Sequence, residues 1–153
     1  MRYPTQSKLW KLDHTIRTKP LNSDGQSRVL ARFKQPFILT LFPDELIIEE
    51  LRVIWINNRG PFMKEIDSIM ATDIASVNAS SGPLFGHVHV QSLTGGPEIM
   101  IDKLPRKEVF KARNIIEGVA LASREGLRVS YQNLETERKM LLRAGQISST
   151  LTY

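Results

Sequence analysis

Between residues 37 and 101 the chain is a succession of short β-rich apolar runs cut by turn residues, and no stretch between them carries a helical period. The runs fall at residues 37–42, 46–48, 52–57, 62–69, 74–78, 86–91 and 98–101. Pro43-Asp44, Asn58-Arg59-Gly60-Pro61, Ser80-Ser81-Gly82-Pro83 and Gly95-Gly96-Pro97 separate them with residues that favour reversals. Gly86-His87-Val88-His89-Val90-Gln91 alternates strictly, the mark of a strand with one buried face. About seven short strands at close spacing predict an antiparallel sandwich or barrel. A parallel βαβ sheet is not expected, because its crossovers would need helices between the strands.

A helix is expected next. Pro105 suits its first turn, where a missing N–H costs nothing, and Glu108 suits the positive end of the dipole. Val109, Ala112, Ile116, Val119 and Ala120 recur every three or four residues, with Ile115 widening the stripe, and Gly126 is a natural stop. Lys107, Lys111 and Arg113 lie off the stripe, which any amphipathic helix would show. Residues 127–143 can be helical again, with Glu135 and Lys139 as an i, i+4 pair. The chain therefore divides into an N-terminal arm (1–36), a β-barrel with a capping helix (37–126), and a helical extension with a polar tail (127–153).

The arrangement resembles bacterial pleckstrin-homology-like (PH-like) domains. The residues that carry the resemblance are Phe42-Pro43-Asp44-Glu45-Leu46-Ile47-Ile48, Asp73-Ile74-Ala75-Ser76-Val77 and Gly86-His87-Val88-His89-Val90. It implies a mainly β (α+β) fold: about seven antiparallel strands in a bent sheet or barrel, closed by the C-terminal amphipathic helix. It also implies a binding role. Phosphoinositide-binding members use Lys and Arg around the first hairpin, whereas the turn expected here holds Pro43, Asp44 and Glu45, which repel phosphate.

Chemistry beyond binding finds little support. There is no cysteine, which removes disulfides, thiolate metal sites and a cysteine nucleophile. His87 and His89 share a strand face and could co-ligate a metal, but zinc needs three or four protein ligands and no third is evident. Asp44/Glu45 and Glu49/Glu50 are adjacent pairs, which point to opposite faces of a strand and cannot converge on one substrate. Neither a Gly-x-Ser-x-Gly elbow nor a phosphate-binding glycine motif occurs. The expectation is a non-enzymatic module without metal, cofactor or small-molecule ligand.

Charge is distributed unevenly. Residues 1–34 carry a net +6, residues 35–104 a net −5 and residues 105–153 a net +4. The composition, 41% hydrophobic and 24% charged, is that of a soluble globular protein. With no apolar run long enough to span a bilayer or to form a secretory signal, the expected location is the cytoplasm, with peripheral membrane attachment as an alternative. The basic arm supplies the candidate polyanion contacts: Lys8, Trp10, Lys11, Arg17, Lys19, Arg28, Arg32 and Lys34. These could meet lipid phosphates or nucleic acid, with Trp10 stacking on a base or sitting at the bilayer interface. They could equally be a solvated arm that neutralises the acidic centre. Another protein is the expected partner, met along a sheet edge or helix groove; an anionic lipid surface and nucleic acid are the alternatives.

Overall fold

Seven strands are present among the described residues, and they are shared between two antiparallel sheets. The structure, a computed structural model, describes residues 27–125 and 134–150. The first sheet runs in the order β1 (Val29–Lys34), β2 (Glu45–Glu49), β3 (Arg52–Asn58), β4 (Lys64–Met70). A single 3-10 turn, Ala71–Asp73, leads to the second sheet, β5 (Ile74–Ser81), β6 (Phe85–Ser92) and β7 (Ile99–Pro105). Helix α1 (Arg106–Arg124) follows, then α2 (Leu134–Thr150).

The expected barrel is corrected on one point: the sheets do not close. The chain turns the corner between β4 and β5 through the 3-10 turn rather than by continuing a ladder. On the other side a side chain makes the link. Buried Gln35 donates from Nε2 to the Asp102 carbonyl at 2.9 Å and to Asp102 Oδ1 at 2.7 Å, and its Oε1 accepts from the Asp44 N–H at 2.9 Å.

The first strand is also displaced from its expected place. Residues 37–42, β-rich by composition, form a loop, and the strand that opens the sheet is β1, inside the stretch read as the arm. Pro36 and Pro43 explain the difference: neither has an N–H to give to a ladder, so the apolar run between them cannot extend the hairpin. β1 instead buries Leu30 and Phe33.

Both inner faces and α1 enclose one core. Leu46, Ile48, Val53 and Ile69 come from the first sheet and Val77, Val88, Val90, Ile99 and Ile101 from the second. Val109, Ala112, Ile115, Ile116 and Val119 come from α1, which packs mainly across β5 and β6. Arg124, in the last turn of α1, donates to the Ile74 carbonyl and pins the helix to the start of β5. Helix α2 lies against α1 at very close range. A methyl group added at Gly118 would overlap the Leu141 carbonyl, and one at Gly145 would overlap the Asn114 carbonyl. Arg138 of α2 donates to the Leu30 carbonyl at 2.7 Å on β1, an edge strand, so the second helix also joins the first sheet.

Candidate functional site

The antiparallel order of β1 to β4 brings two loops to the same end of the first sheet. β1 runs into the loop of residues 35–44, from which β2 returns; β3 runs into the loop of residues 59–63, from which β4 returns. Hydrogen bonds fix both. Gln35 N–H donates to the Asp44 carbonyl at 3.0 Å, Leu39 N–H to the Pro36 carbonyl at 3.1 Å, and Arg59 N–H to the Met63 carbonyl at 3.0 Å. Asn58 ties the loops together, its N–H donating to Asp44 Oδ1 at 2.9 Å and its Nδ2 to the Pro43 carbonyl at 2.6 Å.

This end is apolar and wet. Ile38 and Phe62, one on each loop, are both 96% exposed, and Phe37, Leu41 and Met63 are exposed beside them. Their backbones are held while their side chains contribute nothing to the core. Single exposed apolar residues are ordinary, but five large ones on two neighbouring loops form a patch that invites a partner.

The charges here are sorted by sign. The carboxylates are engaged: Glu45 pairs with Arg32 at 3.0 Å, Glu65 with Arg59 at 2.8 Å, and Asp44 accepts the Asn58 N–H. Lys34, Lys64 and Lys103 form no ion pair among the described residues, and Lys34 Nζ lies 5.0 Å from the centre of the Phe37 ring. Lys103 sits in the left-handed region at φ 54°, within a bulge of β7 that opens between its pairings with Gly86 and Val88. A bulge re-aims the side chain it contains.

Asp44 lies at the base of this end. Burial raises its pKa above the ordinary value, and nearby Asp102 adds to the rise. The Asn58 N–H, the Trp55 indole and Lys103 oppose it. Trp55 Nε1 is itself buried and has no partner of proper hydrogen-bond geometry among the described residues, so its effect on Asp44 is one of proximity.

The residues singled out from the sequence are not gathered in one place. Lys8, Trp10, Lys11, Arg17 and Lys19 lie outside the described residues. Arg28 binds Glu50 through Nε at 2.7 Å and Nη2 at 2.6 Å, at the start of β1 and far from the loop end. Arg32 is held by Glu45; Lys34 alone of the three reaches the apolar loops. His87 and His89 share the outer face of β6 as expected, and His89 Nε2 meets Glu98 Oε2 at 3.0 Å. Among the described residues no group of three or more His, Cys, Asp or Glu converges as a metal site would require. No helix among them is long and apolar enough to cross a membrane.

Sequence reasoning passed over the apolar loop because its composition suggested a strand. The signal that distinguishes it is the pair of prolines, Pro36 and Pro43, bracketing Phe37-Ile38-Leu39-Thr40-Leu41-Phe42.

No family model matches the chain. No curated protein matches it either. Among solved structures it is similar to the crystal structure of a PH-domain-containing bacterial protein from Exiguobacterium sibiricum 255-15, at 16% identity and a TM-score of 0.47, covering 95% of this chain and 72% of that one. This chain's own order is four strands and then three, followed by a helix.

Proposed function

We propose that the protein is a non-enzymatic binding module that seats the loop end of its first sheet in the interface of an anionic membrane. The observation that carries this reading is the nearly complete exposure of Ile38 and Phe62 on adjacent, well-anchored loops. Interfacial binding scales with the apolar area buried plus attraction between basic residues and anionic lipid. Phe37, Ile38, Leu41, Phe62 and Met63 offer the first, and Lys34, Lys64 and Lys103 the second, at about 1 kcal/mol for each cation near the surface. The cations of residues 1–26, with Trp10, would add to the same attraction. A nucleic-acid reading gains less, since Arg28 and Arg32 already serve Glu50 and Glu45.

The test is co-sedimentation with vesicles of phosphatidylcholine alone and of phosphatidylcholine with phosphatidylserine. Binding is expected to the mixed vesicles, weakening with salt. The double variant Ile38→Asp, Phe62→Asp, at positions that contribute nothing to the core, should lose it while its thermal unfolding stays unchanged. A folded double variant that binds as well as the parent would refute the reading.

A further inference from the structure

The two apolar loops share one carboxylate at their base. Asp44 is half-buried and closes the loop of residues 35–44. Its Oδ1 accepts at 2.9 Å from the N–H of Asn58, the residue that leads into the loop of residues 59–63. The groups that face it come from three places. Gln35, at the other end of the same loop, accepts the Asp44 N–H through Oε1 at 2.9 Å and donates through Nε2 to Asp102 Oδ1 at 2.7 Å. β3 contributes the Asn58 N–H and the Trp55 indole, and β7 contributes Asp102 and Lys103. The neighbouring carboxylates are neutralised, Glu45 by Arg32 and Glu65 by Arg59. Asp44 forms no ion pair among the described residues, and Lys103 and Asp102 act on it with opposite signs.

We infer that Asp44 couples membrane binding to a proton: seating the loop end on an anionic bilayer draws a proton onto this carboxylate, and acidification strengthens the binding. The inference rests on the membrane reading above and names its regulation. The approach that buries Ile38 and Phe62 also removes water from around Asp44 and brings it into the negative surface potential, and both disfavour the charged form. At a surface potential of about −30 mV, a full negative charge is disfavoured about threefold, and lost hydration adds to this. Burial, with Asp102 in support, already holds the Asp44 carboxyl above the ordinary value, so its titration lies nearer neutrality than that of an exposed aspartate. Protonation leaves the tie between the loops in place, because one oxygen still accepts from the Asn58 N–H while the other carries the proton. The charge of the end changes and its shape does not. By linkage the effect is reciprocal: a membrane that favours the protonated form is bound more tightly by it, in the same ratio.

The test is co-sedimentation of the full chain and of Asp44→Asn with vesicles of phosphatidylcholine and phosphatidylglycerol, whose headgroups carry no titrating carboxylate, from pH about 7 to about 4. The quantity read is the variant's affinity divided by the parent's, in which titrations common to both proteins cancel. It should be about three or more near neutral pH, where the parent carries the charge, and should fall to about one once the parent is protonated. The parent gives a second readout: in weakly buffered solution near pH 5, its binding to vesicles should take up protons, and more of them than the variant's does. A ratio of one at every pH overturns the proposal and leaves the membrane reading standing. A ratio above one that does not change with pH also overturns it, since the substitution then acts through local structure rather than charge. Equal proton uptake by the two proteins does the same. If neither protein binds at any pH, the membrane reading is refuted and the proposal falls with it.

Discussion

The two sheets share one core but turn different outer faces to their surroundings. The second presents Ser76, Asn78, Ser80, His87, His89 and Gln91, with Phe85 and Met100 the large apolar side chains among them, and Ser76 Oγ donates to Gln91 Oε1 at 2.8 Å. The first presents a block of isoleucines and ends in two apolar loops. The sequence writes this contrast plainly. Gly86-His87-Val88-His89-Val90-Gln91 alternates, as a half-buried strand does, whereas Leu46-Ile47-Ile48 and Val53-Ile54-Trp55-Ile56 do not alternate at all. The first sheet is apolar on both sides, with Ile66 and Met70 exposed on its outer face and Ile47 buried there, and that is the difference between the two halves.

The contrast can be broken most strongly at the inner face. Ile48→Ala, fully buried, should cost about 2–5 kcal/mol in urea unfolding, while Ile66→Thr, on the outer face of the same sheet, should stay within about 0.5 kcal/mol. Comparable losses would mean that the outer isoleucines belong to the fold rather than to a partner.

The next effect concerns the helices that cover the inner faces. Gly118→Ala and Gly145→Ala each force a methyl group against a backbone carbonyl of the opposite helix and should destabilise by about 1–3 kcal/mol. The usual helix preference predicts the reverse, since alanine outranks glycine by about 1 kcal/mol in an open helix. Thermal unfolding decides between these signs.

Gln35 is where the two sheets are joined, and its replacement sharpens the comparison by loosening one from the other. Gln35→Ala leaves the Asp44 N–H without its acceptor and Asp102 without its donor, at an expected cost of about 1–2 kcal/mol. Amide hydrogen exchange should quicken in β1 and β7 before it does in β3 and β6.

The smallest effect is one of pH. Burial raises the pKa of Asp44 above 3.8, so the folded protein holds that proton more tightly than the unfolded chain. Its contribution to stability is present in full below the unfolded value and is lost as pH rises through the folded one. Asp44→Asn keeps an oxygen for the Asn58 N–H but cannot ionise. Variant and parent should therefore diverge as pH rises from about 3.8, the variant becoming the more stable. An unchanged difference across that range would place Asp44 in an environment no drier than the solvent.

Much of the architecture was legible in the sequence because it depends on local patterns. β3 to β7 fall where alternation and turn residues place them, and α1 follows the stripe from Val109 to Ala120. The first strand was not, because residues 29–34 are short and basic, while residues 37–42 look more like a strand than β1 does. The loop end was illegible for the same reason. Apolar composition records how a side chain would be buried but not whether anything is there to bury it.

What the sequence determined by itself is the succession from β3 to α1 and the inner and outer residues of a strand that alternates, as β6 does, since a period of two or of 3.6 is a property of the backbone. The tertiary structure decided which elements share an end. Only the strand order brings Ile38 and Phe62 together, 24 positions apart in the chain, and only the ladder sets Ile47, Ile54 and Ile66 on one face. It also decided which charges are committed, as Arg28 and Arg32 are to glutamates of the neighbouring strand and the turn that follows it. Such pairings follow from long-range contacts, and those are fixed by the packing of the whole chain rather than by any window of it.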